Sequence, residues 1–90
     1  MASTKDMDYE IHFSSVADRF LKKLHNKEDV ERIREAIYNL KDPYNSKKLK
    51  GKFKGLYRIR VGKYRVIFKI YKKEFIILVV DIGRRRNIYI

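Results

Sequence analysis

Residues 56–71 read Leu-Tyr-Arg-Ile-Arg-Val-Gly-Lys-Tyr-Arg-Val-Ile-Phe-Lys-Ile-Tyr. Two runs rich in β-branched and aromatic residues, 56–61 and 64–71, flank Gly62-Lys63, a two-residue connection with glycine first that suits a type II′ hairpin turn. Such a turn fixes the register, with Val61 opposite Tyr64, Arg60 opposite Arg65, Ile59 opposite Val66 and Arg58 opposite Ile67. Because side chains alternate across a strand, Tyr57, Ile59, Val61, Tyr64, Val66, Phe68 and Ile70 share an uncharged face that must be covered. Arg58, Arg60 and Arg65 share the other face, with Lys69 further along. Two guanidinium groups directly opposed across a strand pair repel, so the arrangement persists more readily with an anion to hold.

Working outward, Tyr9, Ile11 and Phe13 alternate with Asp8, Glu10 and His12, the period of a half-buried strand that leaves His12 on the polar side. Ser14 stands where a helix N-cap belongs, and Val16, Ala17, Phe20, Leu21 and Leu24 recur at helical spacing up to Asn26. Acids at Glu28 and Asp29 open a second helix whose apolar side is Val30, Ile33, Ile37 and Leu40, with Pro43 as its stop. Residues 44–55 form a basic loop anchored by Leu49 and Phe53. Residues 75–82 are nearly all apolar and predict a strand buried on both faces and ending at Ile82, after which Gly83 turns the chain. The order is β-α-α-β-β-β, an α+β fold in which a helical hairpin covers one face of a mainly antiparallel sheet.

Ninety residues suit one domain, 1–90, with residues 1–6 as a disordered polar lead-in. A core this small leaves no deep cavity, so a small-molecule ligand is not expected. With no cysteine, disulfides, thiolate nucleophiles and Cys-based metal sites are excluded. His12 and His25 lack ligand spacing, so neither a metal nor a cofactor is expected. No apolar run reaches a membrane span and no signal peptide opens the chain, which makes the cytoplasm the expected compartment. The net charge is +12. Residues 1–45 balance eight bases against nine acids, whereas residues 46–90 carry fifteen bases against two acids. Self-repulsion on that scale lowers the stability of the compact state, so a polyanionic or acidic partner is the economical explanation.

The segments 49–51 (Leu-Lys-Gly), 56–68, and 83–89 (Gly-Arg-Arg-Arg-Asn-Ile-Tyr) together resemble the RelE/ParE toxin superfamily, and more narrowly its archaeal RelE-like members. The resemblance spans roughly residues 8–90. It implies a microbial ribonuclease-like fold and the toxin of a type II toxin–antitoxin system, a ribosome-dependent mRNA endoribonuclease (mRNA interferase) that cuts in the ribosomal A site and so inhibits translation. A RelB-like antitoxin with an acidic segment is the implied partner. By position, Arg58, Arg60, Arg65, Arg85 and Tyr89 match the family's catalytic positions. The first two are often lysine in relatives; arginine is a poor proton acceptor, so a base cannot simply be carried over to them.

The chemistry expected is metal-free. The RNA 2′-hydroxyl attacks the adjacent phosphorus, leaving a 2′,3′-cyclic phosphate and a 5′-hydroxyl. Arg58, Arg60, Arg65 and Arg85 stabilise the phosphoryl charge, and Tyr89 transfers a proton. Lys47, Lys48, Lys50, Lys52, Lys54, Lys69, Arg84 and Arg86 are expected to contact RNA backbone. The same scaffold admits two other readings, a ParE-like topoisomerase (gyrase) inhibitor and a non-catalytic RNA-binding module.

Overall fold

A computed structural model of the chain describes residues 9–40 and 43–84. In chain order these form β1 (Glu10–Phe13), α1 (Ser15–Lys23), α2 (Lys27–Tyr38), β2 (Lys47–Lys48), β3 (Tyr57–Val61), β4 (Tyr64–Tyr71) and β5 (Ile76–Arg84). The sheet order is β1-β5-β4-β3-β2. β1 runs parallel to β5, and the remaining neighbours are antiparallel. The two-residue β2 is an addition to the expected order; it arises because the basic 44–55 segment lays Lys47 and Lys48 against Arg58 and Tyr57.

Both helices start where the sequence indicates. Ser14 Oγ accepts the Ala17 N–H at 3.1 Å and donates to the Val80 carbonyl at 2.9 Å, so one hydroxyl caps α1 and pins it to β5. Asn26 Oδ1 accepts the N–H groups of Glu28 and Asp29. Its duty as the cap of α2 is why α1 stops at Lys23 rather than running to Asn26. α2 ends at Tyr38, capped by Asn39, well before Pro43. Pro43 instead opens a short 3₁₀ turn, Pro43–Asn45, in which it is fully buried.

The hairpin register is the one its turn dictates, from Val61↔Tyr64 through Arg58↔Ile67. Gly62 takes φ 60°, the left-handed value the first position of this turn requires. Tyr57, Val61, Tyr64, Val66 and Phe68 join Ala17, Leu21, Ile33 and Ile37 of the helices and Ile77, Val79 and Ile82 of β5 in one core, with Ile59 and Ile70 packed at its margin. The helices therefore cover the face predicted to need cover. Leu49 is buried and Phe53 half-buried, as their anchoring role demands.

β5 departs from expectation at both ends. Phe75 lies outside it, in a turn at φ 55° with its ring 44% exposed. Gly83 does not turn the chain: it lies in the strand opposite Arg65, and β5 continues to Arg84. Nor is β5 buried on both faces. Ile77, Val79 and Ile82 are buried against the helices, but Ile76, Leu78 and Asp81 are only half-buried. A bulge between Ile67 and Phe68 in the β4–β5 pairing lets Val80 drop out of register, which a pure alternation pattern does not reveal.

Candidate functional site

The face of the sheet turned away from the helices can be read row by row, since directly paired residues project to the same side. One row is Lys47–Arg58–Ile67–Asp81, and the next is Arg60–Arg65–Gly83. In the other direction follow Lys69–Leu78–His12 and Tyr71–Ile76–Glu10. Ile67 is 3% exposed yet is no member of the helix-covered core, as a floor residue on the opposite face should be. Arg58 and Arg65 are half-buried with their Nε atoms out of solvent, whereas Arg60 is exposed. Arg58 and Arg65 are diagonal neighbours on adjacent strands, and the planar donor fork of arginine matches the geometry of a phosphate.

The structure therefore brings Arg58, Arg60, Arg65, Lys69 and Lys47 onto one face. Lys69 rests its ammonium over the Tyr71 ring at 5.1 Å, an aromatic surface open beside the basic groups. Other basic residues go elsewhere. Lys48, Lys50 and Lys54 border a groove of about 490 Å³ whose wall includes Tyr57 and Ile70. Lys52 is exposed, its ammonium 5.6 Å from the Phe53 ring centre. Arg84 pairs with Tyr64, so it projects to the helix side, where it borders a cavity of about 550 Å³ with Arg19, Phe20, Lys23 and Lys63. The strand continues through Gly83, so Arg84 stands on the opposite side of the sheet from Arg65. Arg85, Arg86 and Tyr89 lie outside the described residues.

Two features escaped the sequence reading. Tyr64 donates from its hydroxyl to Asp29 Oδ2 at 2.8 Å, a buried pair beside the Arg84 cavity, with Arg32 3.5 Å from the other carboxylate oxygen. Burial pushes the Tyr64 hydroxyl above its usual value; the bond to Asp29 and the negative charge there add to the rise, and Arg84 opposes it. The second is Asp81, an acid in the middle of the basic face, one strand from Arg65. Its signal was a lone carboxylate in an otherwise apolar strand, but its face could not be assigned without the bulge. His12 is exposed and 3.1 Å from Glu10. Among the described residues, no group of three His, Cys, Asp or Glu side chains could hold a metal ion, and no helix is long and apolar enough to cross a membrane.

From residue 5 to residue 89 the sequence matches the family model described as the ParE toxin of type II toxin-antitoxin system, parDE. No curated protein matches it. Among solved structures, the chain is similar to one in the toxin-antitoxin complex RelBE2 from Mycobacterium tuberculosis, with a TM-score of 0.80 at 23% identity, covering 90% of this chain and 95% of that one. A chain of the archaeal RelE-RelB complex from Pyrococcus horikoshii gives 0.71 at 26% identity, over 91% of this chain and 100% of that one. A chain of the intact E. coli RelBE complex gives 0.69 at 18% identity, over 84% and 95%.

Proposed function

This chain belongs to the ParE toxin family of type II toxin–antitoxin systems, and from that premise we propose that it acts as an RNA-cutting toxin of the RelE kind, cleaving mRNA on the ribosome. The observation that carries the reading is the gathering of Arg58, Arg60 and Arg65 on the face of two adjacent strands turned away from the helices, with Arg60 directly opposite Arg65. Like charges held that close favour a bound anion, and a phosphodiester in mid-transfer needs its oxygens' charge stabilised. Arg85 supplies further charge in this reading, and Tyr89 a proton for the departing 5′-oxygen. Similarity to an archaeal RelE chain at 26% identity supports the RelE-like assignment.

The partner in this reading is an antitoxin with an acidic segment, acting in the cytoplasm where ribosomes are found. Two observations support it: several of the similar chains were solved with their antitoxins, and the charge of +12 suits an acidic ligand. A second reading, inhibition of a topoisomerase, is favoured by the family match itself.

Two assays on the same protein separate them. Primer extension on ribosome-bound mRNA should show cuts within the A-site codon, with 2′,3′-cyclic phosphate ends, and Arg65→Ala or Tyr89→Phe should lower the cutting rate by about 10²-fold or more with the fold intact. Gyrase supercoiling should proceed undisturbed. Inhibited gyrase together with uncut mRNA would transfer the assignment to the second reading.

A further inference from the structure

The arginines of this face cannot accept a proton, so something else must take the one that the attacking 2′-hydroxyl releases. We propose that Asp81 is that general base, a role that rests on the ribonuclease reading above.

The placement is the argument. Asp81 is directly opposite Ile67 on β4, and Ile67 is directly opposite Arg58 on β3. Arg65, two residues from Ile67 on the same face, is a diagonal neighbour of Asp81, roughly 7–8 Å away between strands. A phosphate held by Arg58 and Arg65 lies over the buried floor of Ile67, with Asp81 on its β5 side. The 2′-hydroxyl of the same nucleotide sits about 3–3.5 Å from the phosphorus when poised for attack, so a carboxylate one strand over is on the side where that hydroxyl can point. Asp81 is half-buried, which keeps it open to a substrate. Among the described residues, the charged and titratable groups on its face of the sheet are Lys47, Arg58, Arg60, Arg65, Lys69, Tyr71, His12 and Glu10. Glu10, the other acid of this face among the described residues, is out on the edge strand and engaged by His12 at 3.1 Å.

Proton and electron pairs balance. Asp81 takes the proton from O2′, O2′ bonds to phosphorus, the P–O5′ bond breaks, and O5′ is protonated by Tyr89. Solvent then returns Tyr89 and Asp81 to their starting forms. The two transfers fall to different residues, which relieves Tyr89 of serving both ends of the reaction.

The test is single-turnover cleavage of mRNA in programmed ribosomes by the full chain across a range of pH. Asp81→Asn, close in shape, should cut about 10²- to 10⁴-fold more slowly. It should also lose the decline of rate toward acid pH that protonation of a carboxylate base imposes, while binding an uncleavable 2′-O-methyl mRNA within a few-fold of the wild type. Added formate should restore part of the rate to Asp81→Ala, which a merely structural carboxylate would not permit. Circular dichroism confirms that each variant is folded. An Asn variant within about threefold of wild type, or one whose slower cutting leaves the pH profile unchanged, overturns the role of Asp81 and leaves the nuclease reading standing. A wild-type protein that cuts nothing overturns both.

Discussion

Tyr64 and Asp29 are the residues whose chemistry the fold alters most clearly. The Tyr64 side chain is 3% exposed and its hydroxyl is spent on a carboxylate that is itself buried. A phenol in that position favours its protonated form, so folding raises its pKa above the ordinary 10.0. A group raised on folding contributes stability that is complete below its unfolded value and is lost as pH climbs through the folded one. Wild-type unfolding free energy should therefore drop as pH rises above about 10, by more than in Tyr64→Phe, which has no phenol to ionise. At neutral pH the Phe variant should be less stable by about 1–3 kcal/mol, because the buried Asp29 carboxylate loses the hydroxyl that donates to its Oδ2. Urea titrations of the two proteins at neutral and alkaline pH measure both effects. Equal slopes above pH 10 would mean that folding leaves the Tyr64 pKa where it was. The residue is no part of the arginine face, so cleavage by the Phe variant at neutral pH should match wild type.

At the scale of elements, the informative joint is between α1 and β5. Ser14 caps α1, donates to the Val80 carbonyl, and through its own N–H bonds the Val79 carbonyl at 2.9 Å. Those carbonyls belong to the bulged stretch just before Asp81. Ser14→Ala keeps the backbone bond but loses both hydroxyl contacts, which should cost about 1–2 kcal/mol of stability by thermal or urea unfolding. A cost near zero would show that solvent replaces the cap without loss. The same joint explains what could be read from the chain and what could not. The β3–β4 hairpin was legible to the residue because a glycine-first two-residue turn leaves one register, and strict alternation then sorts arginines from core residues. The cap Ser14 was legible because its side chain acts on backbone next to it in sequence. β5 was not. Its run of apolar residues hides alternation, and one bulge shifts every side chain beyond it. So the face of Asp81 is hidden in the sequence, and Gly83 reads as a turn where the strand in fact continues to Arg84. The Tyr64–Asp29 bond was invisible for a related reason: it joins residues 35 positions apart, and no local pattern encodes it.

For the molecule as a whole, what matters is how the bases of residues 46–90 are divided in space. They do not form one patch. The arginine face carries Arg58, Arg60, Arg65, Lys47 and Lys69, the β2 edge groove carries Lys48, Lys50 and Lys54, and Arg84 joins Arg19, Lys23 and Lys63 at the helix-side cavity. If RNA occupies the arginine face, only bases there release counterions when it binds. For a single strand, each neutralised phosphate contributes about 0.7 to the slope of log affinity against log salt. Replacing both Lys47 and Lys69 by Gln should reduce that slope by about 1.4, since two contacts are removed. Arg84→Gln alters the net charge but not this face, and it should leave the slope where it was. Fluorescence anisotropy with a labelled 2′-O-methyl RNA, titrated at several salt concentrations, reads the difference directly. A fall in slope for Arg84→Gln, comparable with half of that for the lysine pair, would mean that the nucleic acid wraps past the end of β5 to the helix side, and the binding surface would have to be redrawn around both faces.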